Sequence, residues 1–433
     1  MCKKCLALII ILCCITFQTV RCENSYAASN QLIRYMGRVD FDPQNNALLS
    51  WSGSSIIVKF KGTKISAVLS GMNSKVAFYI DGVKQVQLYT IKSNNDTVSI
   101  VQNLSDAEHE LIIRQASLVN YAQIHFYCIL TDGQLLEQPS NNRIRLEYFG
   151  DSVSEGCAAA TPDGMGRDNN AYDDNTSAYT CLLADLLKAE YNNISIGGIA
   201  VCKGAGTVKL GMETRFDKQY PFNSDKLWDF TKYKPDLCVM ALGVNDYYNT
   251  GGITWDEWRS RYKEIVLRLR AEYGDSTPFL FAAAPMISSR SEPVMNIKKL
   301  VAELKSMGVN ASCYVYSFYS YNGHLNASEH QKAASELYNY IQTTNVLTAI
   351  KSEIIQPKEN MYYNTTSHKL LINESAKIID SLKIYSMNGT LLKCFNINNL
   401  KNEYDVSDLA NGIYVVQLKY SKVIKTQKII ISN

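Results

Sequence analysis

The sequence lacks three patterns, and each absence excludes a class of protein. After the N-terminal segment, no apolar run approaches the roughly 20 residues that a membrane-spanning helix needs. Lys and Arg (44) nearly balance Asp and Glu (41), and no basic cluster carries interleaved aromatics, so nucleic-acid binding has no electrostatic support. No CxxC spacing occurs among the seven cysteines after residue 22, an odd number that predicts neither a disulfide framework nor a metal site.

What is present predicts a globular protein of several domains. The chain has 433 residues, of which 46% are apolar and 20% charged. Such a composition is typical of folded soluble proteins, and the length exceeds that of one ordinary domain. We therefore expect two or three domains.

The first 27 residues have the pattern of a signal peptide. Lys3 and Lys4 precede an apolar run from Leu6 to Phe17, and Ser25-Tyr26-Ala27 is a small-x-small cleavage site. We expect a secreted or cell-surface protein with no transmembrane segment in the mature chain.

Residues 28–140 are expected to form a jelly-roll-like β-sandwich. Ile56, Val58 and Phe60 alternate with polar or outward-facing positions, and Asp81-Gly82 is a hairpin-type turn. Because no helical period appears in this region, a sandwich is the simplest architecture that accounts for it.

Residues 141–345 are expected to form an α/β domain with a parallel sheet. Apolar runs at 194–196, 237–242, 279–284 and 313–318 alternate with helical patterns. Thr254-Trp255-Asp256-Glu257 is a capping box that begins one such helix. Strands that are buried on both faces and alternate with helices are typical of parallel sheets.

The remaining chain is expected to hold a linker at 346–365 and a small C-terminal β-sandwich at 366–433. In the latter, nine Lys stand against five acids, and Asn411-Gly412 marks a turn before an alternating strand. The change in charge separates this segment from the rest of the chain.

Three predicted strand ends carry groups suited to acyl transfer. Ser152 follows Gly150-Asp151 after one strand, Gly198 follows the next, and Asn245 follows the third. The carboxyl ends of parallel strands meet at one edge of a sheet, where α/β folds bind ligands. The Ser152 N–H, the Gly198 N–H and the Asn245 amide would give three donors for an oxyanion.

Histidine is scarce, and only one of the five is well placed as a base for Ser152. Three fall in the predicted terminal β domains: His109, His125 and His368. His324 precedes a helix capped by Asn326-Ala327-Ser328-Glu329 and so lies in a loop at the sheet edge. His330 lies on that helix, where packing or surface exposure is the expected role.

These blocks resemble those of the SGNH (GDSL-like) esterase superfamily. The preceding β domain, with Trp51-Ser52-Gly53-Ser54, is similar to that of carbohydrate esterase family 2, and the resemblance covers roughly residues 35 to 342. Members of that family place a jelly-roll-like domain before an SGNH domain and remove acetyl groups from plant polysaccharides. The resemblance implies that Ser152 is the nucleophile and His324 the base, with an oxyanion hole at Ser152, Gly198 and Asn245 and with no metal or other cofactor.

The chain departs from the superfamily pattern beside the histidine. The superfamily has Asp-x-x-His, but Tyr321 stands three residues before His324 and Asn322 two before. We therefore predict a Ser–His dyad whose imidazole is held by a main-chain carbonyl or by Asn322. The polar insertion at Thr161–Asp174 is open to two interpretations, an active-site lid or a surface loop. Tyr247 and Tyr248, directly after Asn245-Asp246, are candidates for stacking against a sugar.

The tail resembles a second family. Lys383–Gly389, Asp405-Val406-Ser407 and Asn411–Tyr414 are similar to the C-terminal sorting domain of the type IX secretion system of Bacteroidetes. The resemblance implies that the secretion machinery is a partner of the tail. A generic carbohydrate-binding β-sandwich is the alternative.

Taken together, the sequence predicts a secreted serine esterase that deacetylates a xylan- or mannan-type polysaccharide or oligosaccharide through an acyl-enzyme. A lipase or thioesterase of the same superfamily is one alternative. A catalytically inactive carbohydrate-binding protein is another.

Overall fold

The computed structural model divides the chain into two compact units, residues 1–350 and 351–433, and each is considered by itself. In the first unit the structure describes residues 23–139, 141–165, 168–283, 285–320, 323–344 and 346–347. In the second it describes residues 360–364, 368–373, 381–386, 390–396, 403–410, 412–420 and 423–431.

The N-terminal domain is a sandwich of two antiparallel sheets, as predicted. Its strands are β1 (Asn24–Ala27), β2 (Ile33–Met36), β3 (Asp40–Phe41), β4 (Ala47–Leu49), β5 (Ser55–Gly62), β6 (Ile65–Ser70), β7 (Lys75–Ile80), β8 (Val83–Lys84), β9 (Tyr89–Thr90), β10 (Asp96–Val101), β11 (Ala107–Gln115), β12 (Ile124–Thr131) and β13 (Gln134–Leu136). One sheet has the order β10-β6-β12-β4-β3 with β1 beside β12. The other has the order β13-β5-β11-β7-β8, with β2 beside β5 and β9 beside β7.

Strand β5 shows how the sandwich is attached to the next domain. Ile56, Val58 and Phe60 point into the sandwich core, as their alternation predicts. Ile57, on the opposite face, packs in a second apolar cluster that includes Tyr148 of the α/β domain. Residues 55–58 of the strand are therefore buried on both faces, and the two domains belong to one compact unit.

The predicted cleavage point conflicts with strand β1. Asn24–Ala27 pair with Cys128–Thr131 at the edge of one sheet, so cleavage after Ala27 would remove a strand. We propose that any cleavage falls before Asn24. Residues 1–22 lie outside the described residues, and the signal peptide itself stays a prediction.

The second domain has a five-stranded parallel sheet, as predicted. Its strands are β14 (Arg145–Gly150), β15 (Glu190–Ser195), β16 (Leu237–Ala241), β17 (Phe279–Ala283) and β18 (Ala311–Val315). Its helices are α1 (Ser152–Glu155), α2 (Tyr179–Leu187), α3 (Val244–Tyr248), α4 (Trp255–Tyr273), α5 (Glu292–Ser306) and α6 (Ala327–Thr344), with short 3-10 turns at Asn170–Tyr172, Asn175–Ser177, Met212–Thr214 and Phe230–Lys232.

The strand order, β15-β14-β16-β17-β18, places the first strand between the second and the third. The connection that leaves β14 runs to one side, towards β15, whereas the connection that leaves β16 runs to the other side, towards β17. The resulting crevice at the carboxyl end of β14 is where folds of this kind bind ligands. Ser152 lies directly after that end.

Buried polar contacts join the sandwich to the α/β domain. The fully buried Arg38 guanidinium lies 3.2 Å from the Glu147 carboxylate, which also accepts a hydrogen bond from the Tyr273 hydroxyl. The Trp51 indole N–H donates to the Gln219 carbonyl at 2.9 Å. Because each buried polar group here needs its partner in the other domain, these contacts fix the relative position of the two domains.

The second unit is a small β module. Its strands are β19 (Asn360–Asn364), β20 (Lys369–Asn373), β21 (Ser381–Ser386), β22 (Leu391–Asn396), β23 (Glu403–Asp405), β24 (Gly412–Tyr420) and β25 (Val423–Ile431). They form a three-stranded and a four-stranded antiparallel sheet, with Leu382, Ile384, Val416 and Leu418 in the core. The module begins earlier than predicted, since β19 lies inside the expected linker at 346–365 and pairs with β20.

Among the described residues, no helix combines the length and the apolarity that crossing a membrane requires.

Candidate active site

Ser152 is the first residue of helix α1 and lies at the sheet edge. Asp151 caps this helix, its carboxylate accepting a hydrogen bond from the Val153 N–H at 3.1 Å. Gly156, in the left-handed region, ends the helix after one turn. The tight strand–turn–helix leaves Ser152 9% exposed, while its neighbours on both sides are more deeply buried.

His324 reaches Ser152 from the loop before helix α6. Its Nε2 lies 2.8 Å from the Ser152 Oγ, which is hydrogen-bonding distance. The loop is anchored by reciprocal capping: the Asn326 side chain accepts from the Glu329 N–H at 2.9 Å, and the Glu329 carboxylate accepts from the Asn326 N–H at 3.1 Å. The two residues that the sequence paired are thus in contact.

A carboxylate from the 161–174 insertion holds the other side of His324. The Nδ1 of His324 forms a short hydrogen bond with Asp168 Oδ1, and the His324 main-chain N–H donates to the same oxygen at 3.1 Å. The expectation of a dyad with no carboxylate at His324 is therefore wrong. Asn322, the alternative holder, lies outside the described residues.

Backbone conformation explains why this carboxylate fits so closely. Gly323 has a φ of +105°, and a side chain there would collide with the Asp168 carboxylate. Asp168 itself has a φ of +64°, a conformation that Asp tolerates better than most residues. The insertion, interpreted as an active-site lid or a surface loop, contributes a side chain to the site. Its 156-residue separation from His324 hid the contact from sequence reasoning.

The three expected oxyanion donors lie at the ends of β14, β15 and β16. Gly198 has a φ of +77°, in the region that favours glycine, and its carbonyl accepts from the Thr207 N–H at 3.0 Å. The Asn245 side chain, in the first turn of α3, donates to the Ile199 carbonyl at 3.0 Å. Since a primary amide has two N–H groups, this bond fixes Asn245 beside Gly198 and leaves a second donor.

Two buried carboxylates that sequence reasoning missed hold the loop that carries Gly198. Glu155, in α1, accepts from the Gly197 N–H and, at 2.6 Å, from the Val119 N–H of the sandwich. Asp246, in α3, accepts from the Val201 N–H at 3.0 and 3.1 Å. Burial raises the pKa of Glu155 to about 8 and that of Asp246 to about 6, while these N–H groups act in the opposite direction. No local pattern marks either acid, because the loop that each one holds is distant in sequence.

The remaining sequence candidates lie around this centre. Tyr247 and Tyr248 are 43% and 64% exposed on α3, with their rings 5.3 Å apart edge to face. His330 is fully buried in α6, where its Nδ1 accepts from the Tyr179 N–H at 3.1 Å. Burial lowers the pKa of His330 to about 3, so this imidazole is neutral. In the described part of the chain, no three His, Cys, Asp or Glu side chains are grouped so as to hold a metal ion.

Three family models match the chain in succession. Residues 35–139 match the carbohydrate esterase 2 N-terminal domain, and residues 148–339 match the GDSL-like lipase/acylhydrolase family. Residues 360–432 match the secretion system C-terminal sorting domain. The predicted resemblances of both the esterase region and the tail are confirmed.

Curated relatives and solved structures agree with these matches. The chain is 27% identical over 265 residues to cellulase/esterase CelE of Acetivibrio thermocellus, covering 60% of this chain and 32% of that protein. It is 25% identical over 237 residues to an acetylxylan esterase/glucomannan deacetylase of Cellvibrio japonicus, covering 52% and 64%. The chain thus spans less than two thirds of the length of either relative.

The fold is shared with family two carbohydrate esterases of known structure. One from Clostridium thermocellum, in complex with cellohexaose, has a TM-score of 0.66 at 21% identity, covering 73% of this chain and 99% of that one. One from Cellvibrio japonicus has a TM-score of 0.67 at 19% identity, covering 76% and 99%.

Proposed function

We propose that the chain is a member of carbohydrate esterase family 2 and a secreted serine esterase that removes O-acetyl groups from a xylan- or mannan-type polysaccharide. The observation that carries the proposal is the Ser152–His324–Asp168 chain of hydrogen bonds at the carboxyl end of β14. A hydroxyl, an imidazole and a carboxylate in this order form the constellation that activates a serine for acyl transfer.

In the proposed reaction, the Ser152 Oγ attacks the acetyl carbonyl while His324 Nε2 takes the hydroxyl proton. Asp168 accepts a hydrogen bond from the Nδ1–H, which sets the tautomer and stabilises the imidazolium as it forms. The C–O bond to the sugar then breaks, and His324 returns the proton to the departing sugar hydroxyl. A water, deprotonated by the same Nε2, releases acetate from the acyl-enzyme and restores Ser152.

The oxyanion of each tetrahedral intermediate would be held by the Ser152 N–H, the Gly198 N–H and the free N–H of Asn245. The loop 197–201, which carries Gly198, is held in place because Glu155 and Asp246 accept hydrogen bonds from its main-chain N–H groups. Donors fixed before the reaction stabilise developing charge without a reorganisation cost.

The substrate class is supported by the relatives and by the mouth of the site. The Cellvibrio japonicus relative is described as an acetylxylan esterase and glucomannan deacetylase. Exposed Tyr247 and Tyr248 follow Asn245 on α3 and offer ring faces against which a sugar can stack. Export follows from the tail, whose sorting-domain match supports delivery by a type IX secretion system, with that machinery as the partner.

Acetate release from acetylated xylan and acetylated glucomannan tests the proposal. We expect the chain to release acetate, and Ser152→Ala to abolish release because no nucleophile remains. The matched control is Ser154→Ala, two residues along α1, whose hydroxyl bonds the Tyr179 hydroxyl at 2.7 Å and does not face His324. It should keep its activity.

Loss of activity in both serine variants, or release that persists in Ser152→Ala, would contradict the assignment of the nucleophile. A preference for long-chain over acetyl 4-nitrophenyl esters would indicate a lipase of the same superfamily. No turnover of any ester would favour a carbohydrate-binding protein.

A further inference from the structure

A cavity of about 320 Å³ lies where the sandwich meets the α/β domain, apart from Ser152, His324 and Asp168. We call it the junction cavity. The sandwich contributes Gln115, Tyr121 and Gln123 to its wall, and the α/β domain contributes the segment 220–224, including Tyr220 and Phe222. Its volume is at the lower end of the range of small-molecule sites, about 300–1,000 Å³, which suits one or two sugar units.

The chemistry of the wall indicates a neutral ligand with many hydroxyls. Three aromatic rings alternate with carboxamides and serine hydroxyls, and none of the described side chains that line the cavity is charged. Aromatic faces pack against the apolar C–H faces of a pyranose, while carboxamides both donate to and accept from its hydroxyls. An ionic ligand would find no counter-charge here.

One wall residue carries a polar atom that lacks a partner. Gln115 is 2% exposed, and its side-chain Oε1 is buried with no hydrogen-bond donor among the described residues. Buried acceptors are almost always satisfied, and one left unpaired lowers stability. By contrast, the Gln123 side chain on the same wall is engaged, because it donates to the Ser50 hydroxyl. Because this oxygen is closed to solvent even with the cavity empty, a ligand would meet the Gln115 side chain through its amide N–H groups.

The cavity wall is coupled to the proposed catalytic centre. Val119, which lines the cavity, donates its N–H to Glu155, and the same carboxylate accepts from Gly197 beside Gly198. The Tyr121 hydroxyl lies 3.5 Å from Asp173, a residue of the insertion that also carries Asp168. One carboxylate thus connects the sandwich wall to the loop of the oxyanion donors.

We propose that the junction cavity is a saccharide-binding subsite, which takes a sugar unit of the polymer other than the acetylated unit at Ser152. The sandwich is then part of the substrate site as well as a structural companion of the α/β domain. The inference that the cavity binds part of the polymeric substrate rests on the proposed function. The inference that it binds a neutral saccharide does not.

Binding of xylohexaose and mannohexaose by calorimetry tests the subsite without turnover, in the full chain carrying Ser152→Ala. On that background, Gln115→Met keeps the side-chain volume and removes the carboxamide that lines the cavity. We expect affinity to fall roughly tenfold or more, because a hydroxyl of the sugar loses its partner. The melting temperature should stay level or rise, because an unsatisfied buried group has been removed.

A second variant blocks the mouth of the cavity without altering its buried wall. Ala122 is exposed on the rim, and Ala122→Trp should exclude the saccharide. The matched control is Val86→Trp on the same sandwich, at a fully exposed position that does not line the cavity. In the chain that keeps Ser152, Gln115→Met and Ala122→Trp should raise KM for the acetylated polymer, whereas Val86→Trp should leave that KM unchanged.

The outcomes separate the two proposals. Hexaose affinity that survives both Gln115→Met and Ala122→Trp, or an absence of binding by the starting protein, would overturn the subsite. A drop in melting temperature for Gln115→Met with unchanged affinity would show a structural role and overturn it as well. Binding that is lost on Ala122→Trp in a chain that releases no acetate would leave the subsite standing and contradict the esterase.

Discussion

At the scale of single residues, the decisive group is Asp168. Its carboxylate stands where the superfamily uses the aspartate three residues before the histidine, a position that Tyr321 fills here. Under the proposed function, the chain therefore has a Ser–His–Asp triad whose acid comes from a different segment. Because the acid and the histidine come from separate loops, their geometry depends on how the insertion packs.

Replacement of that acid gives a direct prediction. Asp168→Asn should lower kcat for acetylated xylan by roughly 10²- to 10⁴-fold, since an amide at this place favours the wrong imidazole tautomer. KM and the melting temperature should change little, because Asp168 is half-exposed on the surface. Steady-state kinetics measure kcat and KM, and a thermal melt measures the melting temperature.

Asp163→Asn is the matched control, since it removes an exposed carboxylate from the same insertion. Its kcat should equal that of the unaltered chain. Equal kcat for Asp168→Asn would instead indicate that a main-chain carbonyl or Asn322 orients His324, as the sequence alone predicts.

At the scale of elements, helices α1 and α3 each combine two roles. Each presents a proposed catalytic group at its start, Ser152 or Asn245, and each carries a buried acid that holds the loop 197–201. Such short helices have little stability of their own. Because the buried carboxylates of both helices bind the same loop, that loop connects the two proposed catalytic groups and fixes their helices.

The raised pKa of Glu155 predicts a pH dependence of stability. The folded chain retains a proton up to about pH 8 that the unfolded chain loses near pH 4.5, so this group's contribution is complete below 4.5 and lost by about 8. Glu155→Gln should flatten the fall in the free energy of unfolding across this window, by at most about 1.4 kcal/mol per pH unit. Urea titrations at several pH values measure the slope.

Glu272→Gln, at an exposed position of α4, is the control and should leave the slope unchanged. The slope is the right measure because Asp151 and Asp246 also have raised pKa values and remain in both variants. An identical slope in Glu155→Gln would show that Glu155 is ionised throughout.

At the scale of the whole molecule, the two compact units have separate hydrophobic cores. We expect a chain that ends at residue 350 to keep the kcat/KM of the full chain on 4-nitrophenyl acetate. The reason is that the proposed catalytic residues and every contact described for them lie in the first unit. Comparative kinetics of the two purified chains check this, and a large loss of activity would show that the tail supports the site.

The sequence alone was enough to predict the architecture and the contact between Ser152 and His324, and to place Gly198 and Asn245 after the ends of neighbouring strands. Parallel strands end at a common edge, so residues that follow strand ends must meet there, whatever the details of packing. Local signals were equally reliable for the helix caps, such as Asn326 and Glu329, because a cap involves only neighbours in the chain.

Three features became visible only in the tertiary structure: the partner of His324, the anchoring by Glu155 and the wall of the junction cavity. Asp168 comes from a polar insertion with no periodic pattern, and its contact depends on packing between loops 156 residues apart. Strands β1 and β19 lie before the boundaries predicted at residues 27 and 366. Strands β1 and β19 are too short to show a period, and they are strands because of the partners that they pair with.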